Sequence, residues 1–284
     1  MISEQHSAVS DTLSAGEENL GQWILHHSQN SDVWDPIPFP GWHIHLPVFE
    51  PFQLFGITID LSITNHVVML WIAGLFVIVL FMLTYNAKKK IPSGFGHILE
   101  LLVLFVRDDI AIANMGEKEG KKFTPLLVTF FFFILMANLM GLIPAFSTAT
   151  SNINVTAGLA LITFGSTQVY GIARNGFIGY YKNLVPHGVP ILLWPLMFVI
   201  ELMGLLAKHV ALTIRLFANM TAGHIVLFAL LGLIIVFKTS LMSIVSVPFG
   251  IFVYFLEILV AFIQAYIFTI LSALFIGMSV NPEH

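Results

Sequence analysis

The chain reads as an all-α, polytopic helical membrane protein, with an amphipathic helix on the cytoplasmic surface and two long, strongly tilted helices at its C-terminal end. Three observations predict this. The sequence is 57% hydrophobic and 10% charged, with 26 Phe in 284 residues, more apolar surface than a soluble domain of that length can cover. Its apolar runs are continuous over about 20 residues or more, enough to cross a bilayer as a helix, whereas a membrane β-barrel alternates in segments of about ten. The last two runs, Val189 to Phe237 and Leu241 to Val280, are far longer than one crossing needs. At about 1.5 Å per residue the second alone measures about 60 Å, roughly twice the hydrocarbon thickness, so both must break or lie oblique.

The elements follow in order. Residues 1–65 form an acidic N-terminal segment, in which Glu4, Asp11, Glu17, Glu18, Asp32, Asp35, Glu50 and Asp60 occur before the first basic residue, Lys88. Lys88, Lys89 and Lys90 end the first apolar run, about 66–85, and lysines mark the cytoplasmic side, so the N-terminal segment lies outside. It lacks the basic and apolar regions of a secretory signal. Its stretch from Trp34 to His45, rich in Trp, Pro and His, reads as a mat on lipid headgroups, and a pair such as His43 and His45 is more often solvated than metal-bound. No metal or cofactor is expected, and the lack of Cys excludes thiolate sites.

Ser93 to Met115 sets Ile98, Leu101, Leu102, Phe105 and Ile112 against His97, Glu100, Arg107, Asp108 and Asp109, an amphipathic helix along the cytoplasmic surface. A charged linker, Glu117 to Lys122, leads to a second span, about 125–144, running outward. After a polar outer loop from Ser147 to Thr156, a third span, about 157–173, returns to Arg174 and Lys182 inside. Turn residues fill Tyr180 to Pro190. The two long tilted helices, about 190–236 and 241–280, join at Lys238-Thr239-Ser240 and leave the C-terminus cytoplasmic. The membrane domain is therefore 66–284.

Inside the fourth run stands Leu212-Thr213-Ile214-Arg215-Leu216. A guanidinium keeps its charge at any ordinary pH, and placing one in a bilayer costs roughly 2.5–3.5 kcal/mol even on the mildest scales. Arg215 therefore needs a partner or a use. Glu201, Lys208 and Arg215 are seven apart, which on a helix drifts by only about 20° per step and puts all three on one stripe. Asn219, one turn on, stays beside Arg215. Gly204, Ala207, Ala211, Ala218 and Ala222 flank that stripe and let another helix approach closely, so this is a docking face.

The negative partner of Arg215 is open at this point. Glu201 lies about 21 Å away along the axis, too far for contact. Glu257, in the last helix, is the in-chain alternative. His224 points about 180° away from Arg215 and can meet Glu257 inside the bundle, in which case the carboxylate for Arg215 comes from another subunit. Glu257 and Gln264 share a stripe that, opposed to the Arg215 helix, brings Gln264 near Arg215. The remaining polar residues have ordinary readings beside functional ones: Lys208 as a snorkelling helix-end lysine, His209 as an interior histidine, Asn138 as a helix–helix hydrogen-bonding residue.

Arg215-Leu216-Phe217-Ala218-Asn219-Met220-Thr221-Ala222-Gly223-His224 closely resembles the signature block of subunit a of F-type ATP synthases. Asn138-Leu139-Met140-Gly141-Leu142-Ile143-Pro144 resembles that family's second-span motif, Asn154-Val155-Thr156 the start of its third span, and Gln264-Ala265-Tyr266-Ile267-Phe268 its C-terminal block. Glu201 and Lys208 match its upstream spacing, and the likeness runs in order from about residue 45 to 280. The chain departs from it at Gly141, where many bacterial relatives have Asp, and at His224 and Glu257, where acid and base are exchanged.

The resemblance implies a stator subunit that conducts protons through two half-channels to and from the carboxylates of a c-subunit ring. In it Glu257, His224, Asn219 and Gln264 serve the outer channel, Glu201 the inner one, with Lys208 and Asn138 as further candidates, and Arg215 separates the two. Implied partners are the c ring, peripheral-stalk b-type subunits, other ATP synthase subunits and membrane lipids, with no nucleic acid. The implied place is the bacterial cell inner membrane. A proton-coupled secondary transporter is the alternative, but such folds show internal repeats that are missing here. A plain scaffold would need no charged stripe. The chain also lacks a Gly-Lys-Ser/Thr phosphate loop, so it is expected to translocate ions for an enzyme rather than be one.

Overall fold

The computed structural model describes residues 33–34, 44–50, 52–54, 57–59, 62–84, 94–143, 146, 148–185, 189–237 and 240–280. His43, the lysines at 88–90 and the turn residues Lys238 and Thr239 lie outside the described residues, so the readings placed on them are not addressed by the structure.

Two short antiparallel ladders precede the helices. β1 (Val33–Trp34) pairs with β2 (Ile44–His45), and β3 (Phe52–Leu54) with β4 (Ile57–Ile59). The sequence reading contained no strands. The β-favouring triplets Phe-Gln-Leu and Ile-Thr-Ile, two residues apart, were the signal for the second hairpin. Strands of two and three residues leave the all-α class unchanged.

Helix α1 (Asn65–Thr84) packs on α4 (Glu117–Gly141). Between them come α2 (Phe95–Phe105), a π-helical stretch (Val106–Ile112) and the single turn α3 (Ala113–Met115). Gly116, at φ 79°, then reverses the chain into α4. This hairpin is tight, because a Cβ at Gly120 would fall 2.7 Å from the Ile112 Cα. The 95–115 segment is helical and amphipathic, but the side it buries is Leu99, Val106 and Ile110, while Ile98 and Leu101 are exposed. The wider π turns rotate the face, and the covered residues join the main core.

After a 3-10 turn (Ala149–Ser151), α5 (Ile153–Asn175) and the short α6 (Phe177–Lys182) lead to the two long helices. Helix α7 (Trp194–Phe237) has 44 residues and α8 (Ser240–Val280) has 41. Both are unbroken, about 66 and 62 Å long, so neither fits a hydrocarbon slab of about 30 Å unless it lies oblique. α8 is the central strut. Its C-terminal half buries Ala261, Ala265, Phe268, Ala273 and Ile276, and it packs on α3, α4, α5 and α7. Polar ties cross the bundle: Thr163 Oγ1 meets Ser272 Oγ at 3.0 Å, and Asn175 Nδ2 donates to the Ser279 carbonyl at 3.0 Å.

Candidate functional site

Helix α7 buries a narrow stripe of His209, Leu212, Leu216 and Met220 against α5 and α8. Arg215 falls just outside it, at the edge of the open face. Ala207, Ala211, Ala218 and Ala222 are exposed on the same side, so the small-residue face is left uncovered by this chain. Among the described residues Arg215 forms no ion pair.

One turn on, Asn219 Nδ2 donates to Gln264 Oε1 at 2.8 Å. This bond joins α7 to α8, and Gln264 is 1% exposed, so the amide lies in the helix interface while Asn219 still reaches the open face. Gln264 Nε2 has no hydrogen-bond partner among the described residues.

Towards the C-terminal end of α7, Asn219, His224 and Glu257 line one cavity of about 100 Å³ together with Gly223 and Leu142. The exchanged acid and base therefore face a shared space. No hydrogen bond joins them, a point that the sequence reading leaves open. Both Glu257 carboxylate oxygens are buried and without a hydrogen-bond partner among the described residues, and Oε1 lies 2.5 Å from where a Cβ on Gly223 would stand. Glycine is what lets the carboxylate approach α7 so closely. His224 Nε2 bonds to Thr148 Oγ1 instead. A second, larger cavity of about 290 Å³ continues beyond His224, bounded by Gly141, Ser246, Gly250 and Tyr254.

Towards the N-terminal end of α7, Glu201 and Lys208 line a different cavity of about 130 Å³, with Asn175, Tyr180 and Ser279. Lys208 Nζ sits 5.9 Å from the Phe275 ring centroid, in cation–π range, and is exposed. Glu201 and Lys208 share the cavity without forming an ion pair. His209 is interior, as its ordinary reading had it: Nδ1 donates to the Leu205 carbonyl at 2.9 Å, and Phe164 meets the ring edge-on at 5.1 Å.

Asn138 is 1% exposed and accepts from Thr150 Oγ1 at 2.6 Å, a tie between α4 and the 3-10 turn rather than a cavity residue. Within the polar outer loop, Thr148 and Thr150 fold inward against the bundle, at 2% and 0% exposure. That inward fold hides two residues the sequence reading passed over, Thr148 and His66. Their signal was slight: a lone histidine opening an apolar helix and a threonine-rich loop.

The family described as ATP synthase A chain matches residues 67–277. Among similar proteins, ATP synthase subunit a of Myxococcus xanthus is 48% identical over 260 residues, 87% of this chain and 86% of that one. ATP synthase subunit a of Chloroherpeton thalassium is 48% identical over 264 residues, 91% of this chain and 77% of its own. That of Pelodictyon phaeoclathratiforme is 46% identical, covering 94% and 78%.

Proposed function

Because the chain belongs to the ATP synthase A chain family, we propose that it is the membrane stator through which protons reach and leave a ring of c subunits. It is a non-catalytic, multi-pass subunit of an ATP synthase, with five helices among the described residues long and apolar enough to cross a membrane. The observation that carries the finer reading is the placing of polar cavities along α7. The one lined by Glu201 and Lys208 and the one lined by Asn219, His224 and Glu257 stand on opposite sides of Arg215 along the helix, and Arg215 itself faces outward.

The chemistry follows from charge. A carboxylate on a partner helix, drawn against the small-residue face, meets the fixed guanidinium, which favours its ionised form by attraction in a low dielectric. To pass, the carboxylate gives its proton to one cavity and takes another from the opposite one. The same cation repels protons, so the cavities do not short-circuit. Asn219 and Gln264 hold α7 and α8 together at that point. Each proton driven by 100 mV delivers about 2.3 kcal/mol, so several combine per ATP.

Positive residues set the orientation. Lys118, Lys121, Lys122, Arg174 and Lys182 cluster at the helix ends beside the Glu201 cavity, which makes that side cytoplasmic, and the His224 side is the outer one. We place the protein in a bacterial inner membrane, N-terminus outside and C-terminus inside, against a c ring and b-type stalk subunits. Among the described residues no further cation-ligating cluster is present, which favours the proton as the ion. The test is ATP-driven proton pumping in inverted vesicles carrying the assembled complex. Arg215→Ala is expected to abolish both pumping and coupled synthesis with assembly intact; undiminished pumping would sink the reading.

A further inference from the structure

We propose that Thr148 is a positioning residue for His224, holding the imidazole at the wall between the two outer cavities, with Gly141 as its seat and His66 as its anchor. The proposal rests on the half-channel reading above. His224 and Leu142 line both the larger cavity and the smaller one that holds Glu257, so whatever passes between the two passes this ring.

The residue whose hydroxyl bonds His224 Nε2 is held through its backbone carbonyl. The Thr148 carbonyl accepts from His66 Nδ1 at 3.1 Å, from Ser151 Oγ at 2.7 Å and from the Ser151 amide at 3.0 Å. His66 opens α1 and is 3% exposed, so a buried side chain of one helix pins the backbone that aims at another. The side chain of Thr148 lies in the place a Cβ on Gly141 would take, within 2.7 Å of both Cβ and Cγ2. A hydroxyl both donates and accepts, so it serves either nitrogen tautomer of His224 without locking the ring into one. A carboxylate or an amide nitrogen in its place would favour one state. The titratable groups facing His224 are His66 from α1 and Glu257 and Tyr254 from α8.

The experiment measures ATP-driven pumping in inverted vesicles of the assembled complex against the pH of the lumen, the side that the outer cavities face. Thr148→Val keeps the shape and removes the hydroxyl. It is expected to lower pumping by roughly three- to tenfold, the size of one hydrogen bond, and to displace the pH profile. Thr148→Ser is expected to restore both rate and profile. A native rate and profile in Thr148→Val, or a Thr148→Ser variant as impaired as Thr148→Val, overturns the assignment. If Thr148→Val does not assemble, Thr148→Ser and His66→Leu decide: a native profile for the serine with a displaced one for His66→Leu upholds it, and any other pair overturns it. Arg215→Ala run alongside separates the two levels. If it stops pumping while Thr148→Val does not, only the role of Thr148 falls.

Discussion

Helices α4 and α7 are both apolar enough to cross a bilayer, yet the chain treats them in opposite ways. Half of the apolar stretch of α4 is buried among the other helices, against 11% for α7. The Asn138 amide of α4 is fully enclosed; its Oδ1 accepts from Thr150, while its Nδ2 has no partner among the described residues. The polar residues of α7 are the reverse: Arg215 and Asn219 lie on or beside an open face, and Glu201, Lys208 and His224 line cavities. A polar side chain inside a membrane protein is thus read by its cover. Tied off within the chain, it holds helices together; left uncovered, it is provided for something outside the chain.

Breaking that contrast is an experimental matter. Arg215→Lys should have the largest effect, with coupled synthesis falling to background, because an ammonium lacks the planar fork that pairs a carboxylate. Synthesis driven by an imposed proton gradient checks this. Glu257→Gln should follow, slowing pumping by about a hundredfold, the usual weight of one proton-transfer group. Initial rates of vesicle acidification measure it, and a native rate would remove Glu257 from the path. Asn219→Leu breaks the bond to Gln264 and should cost about three- to tenfold in pumping.

The covered region should behave differently. A Cβ at Gly277 would meet the Asn114 carbonyl oxygen at 2.5 Å, so Gly277→Ala should destabilise by about 1–3 kcal/mol. Thermal unfolding of the purified complex reads this, while pumping per assembled complex stays near native. The mildest is Asn138→Leu, with about 1 kcal/mol lost and pumping within about twofold. If Asn138→Leu proved more damaging to pumping than Asn219→Leu, the contrast between covered and open polar groups would be wrong.

Much of this was legible in the residues. An arginine in an apolar run, an asparagine one turn on and alanines along the same side define a face without any coordinates, because helical geometry is stiff. The stripes alone brought Gln264 near Arg215, and the structure joins it to Asn219, one turn on. What escaped had two physical causes. In lipid the outside of a helix is as apolar as the inside, so hydrophobicity does not say which of Ile98 and Leu99 faces protein, and the π-helical turns of 106–112 then rotated the answer. The other cause is distance: His66 and Thr148 are 82 residues apart, and neither carries a pattern until the loop folds inward. Whether Glu257 and His224 pair stays open in the sequence for a related reason. Helix geometry turns two side chains towards one space but does not say that a threonine already holds one of them.

The uncovered face of α7 bears on the life of a single copy in the cell. A newly inserted chain without its partners turns a guanidinium and a row of alanines towards lipid, at a penalty of roughly 2.5–3.5 kcal/mol for the charge alone. Assembly removes that penalty, so an orphan is marked by the residue that we propose separates the two half-channels. Surplus copies should therefore be short-lived, and their abundance should track that of the other ATP synthase subunits rather than their own rate of synthesis.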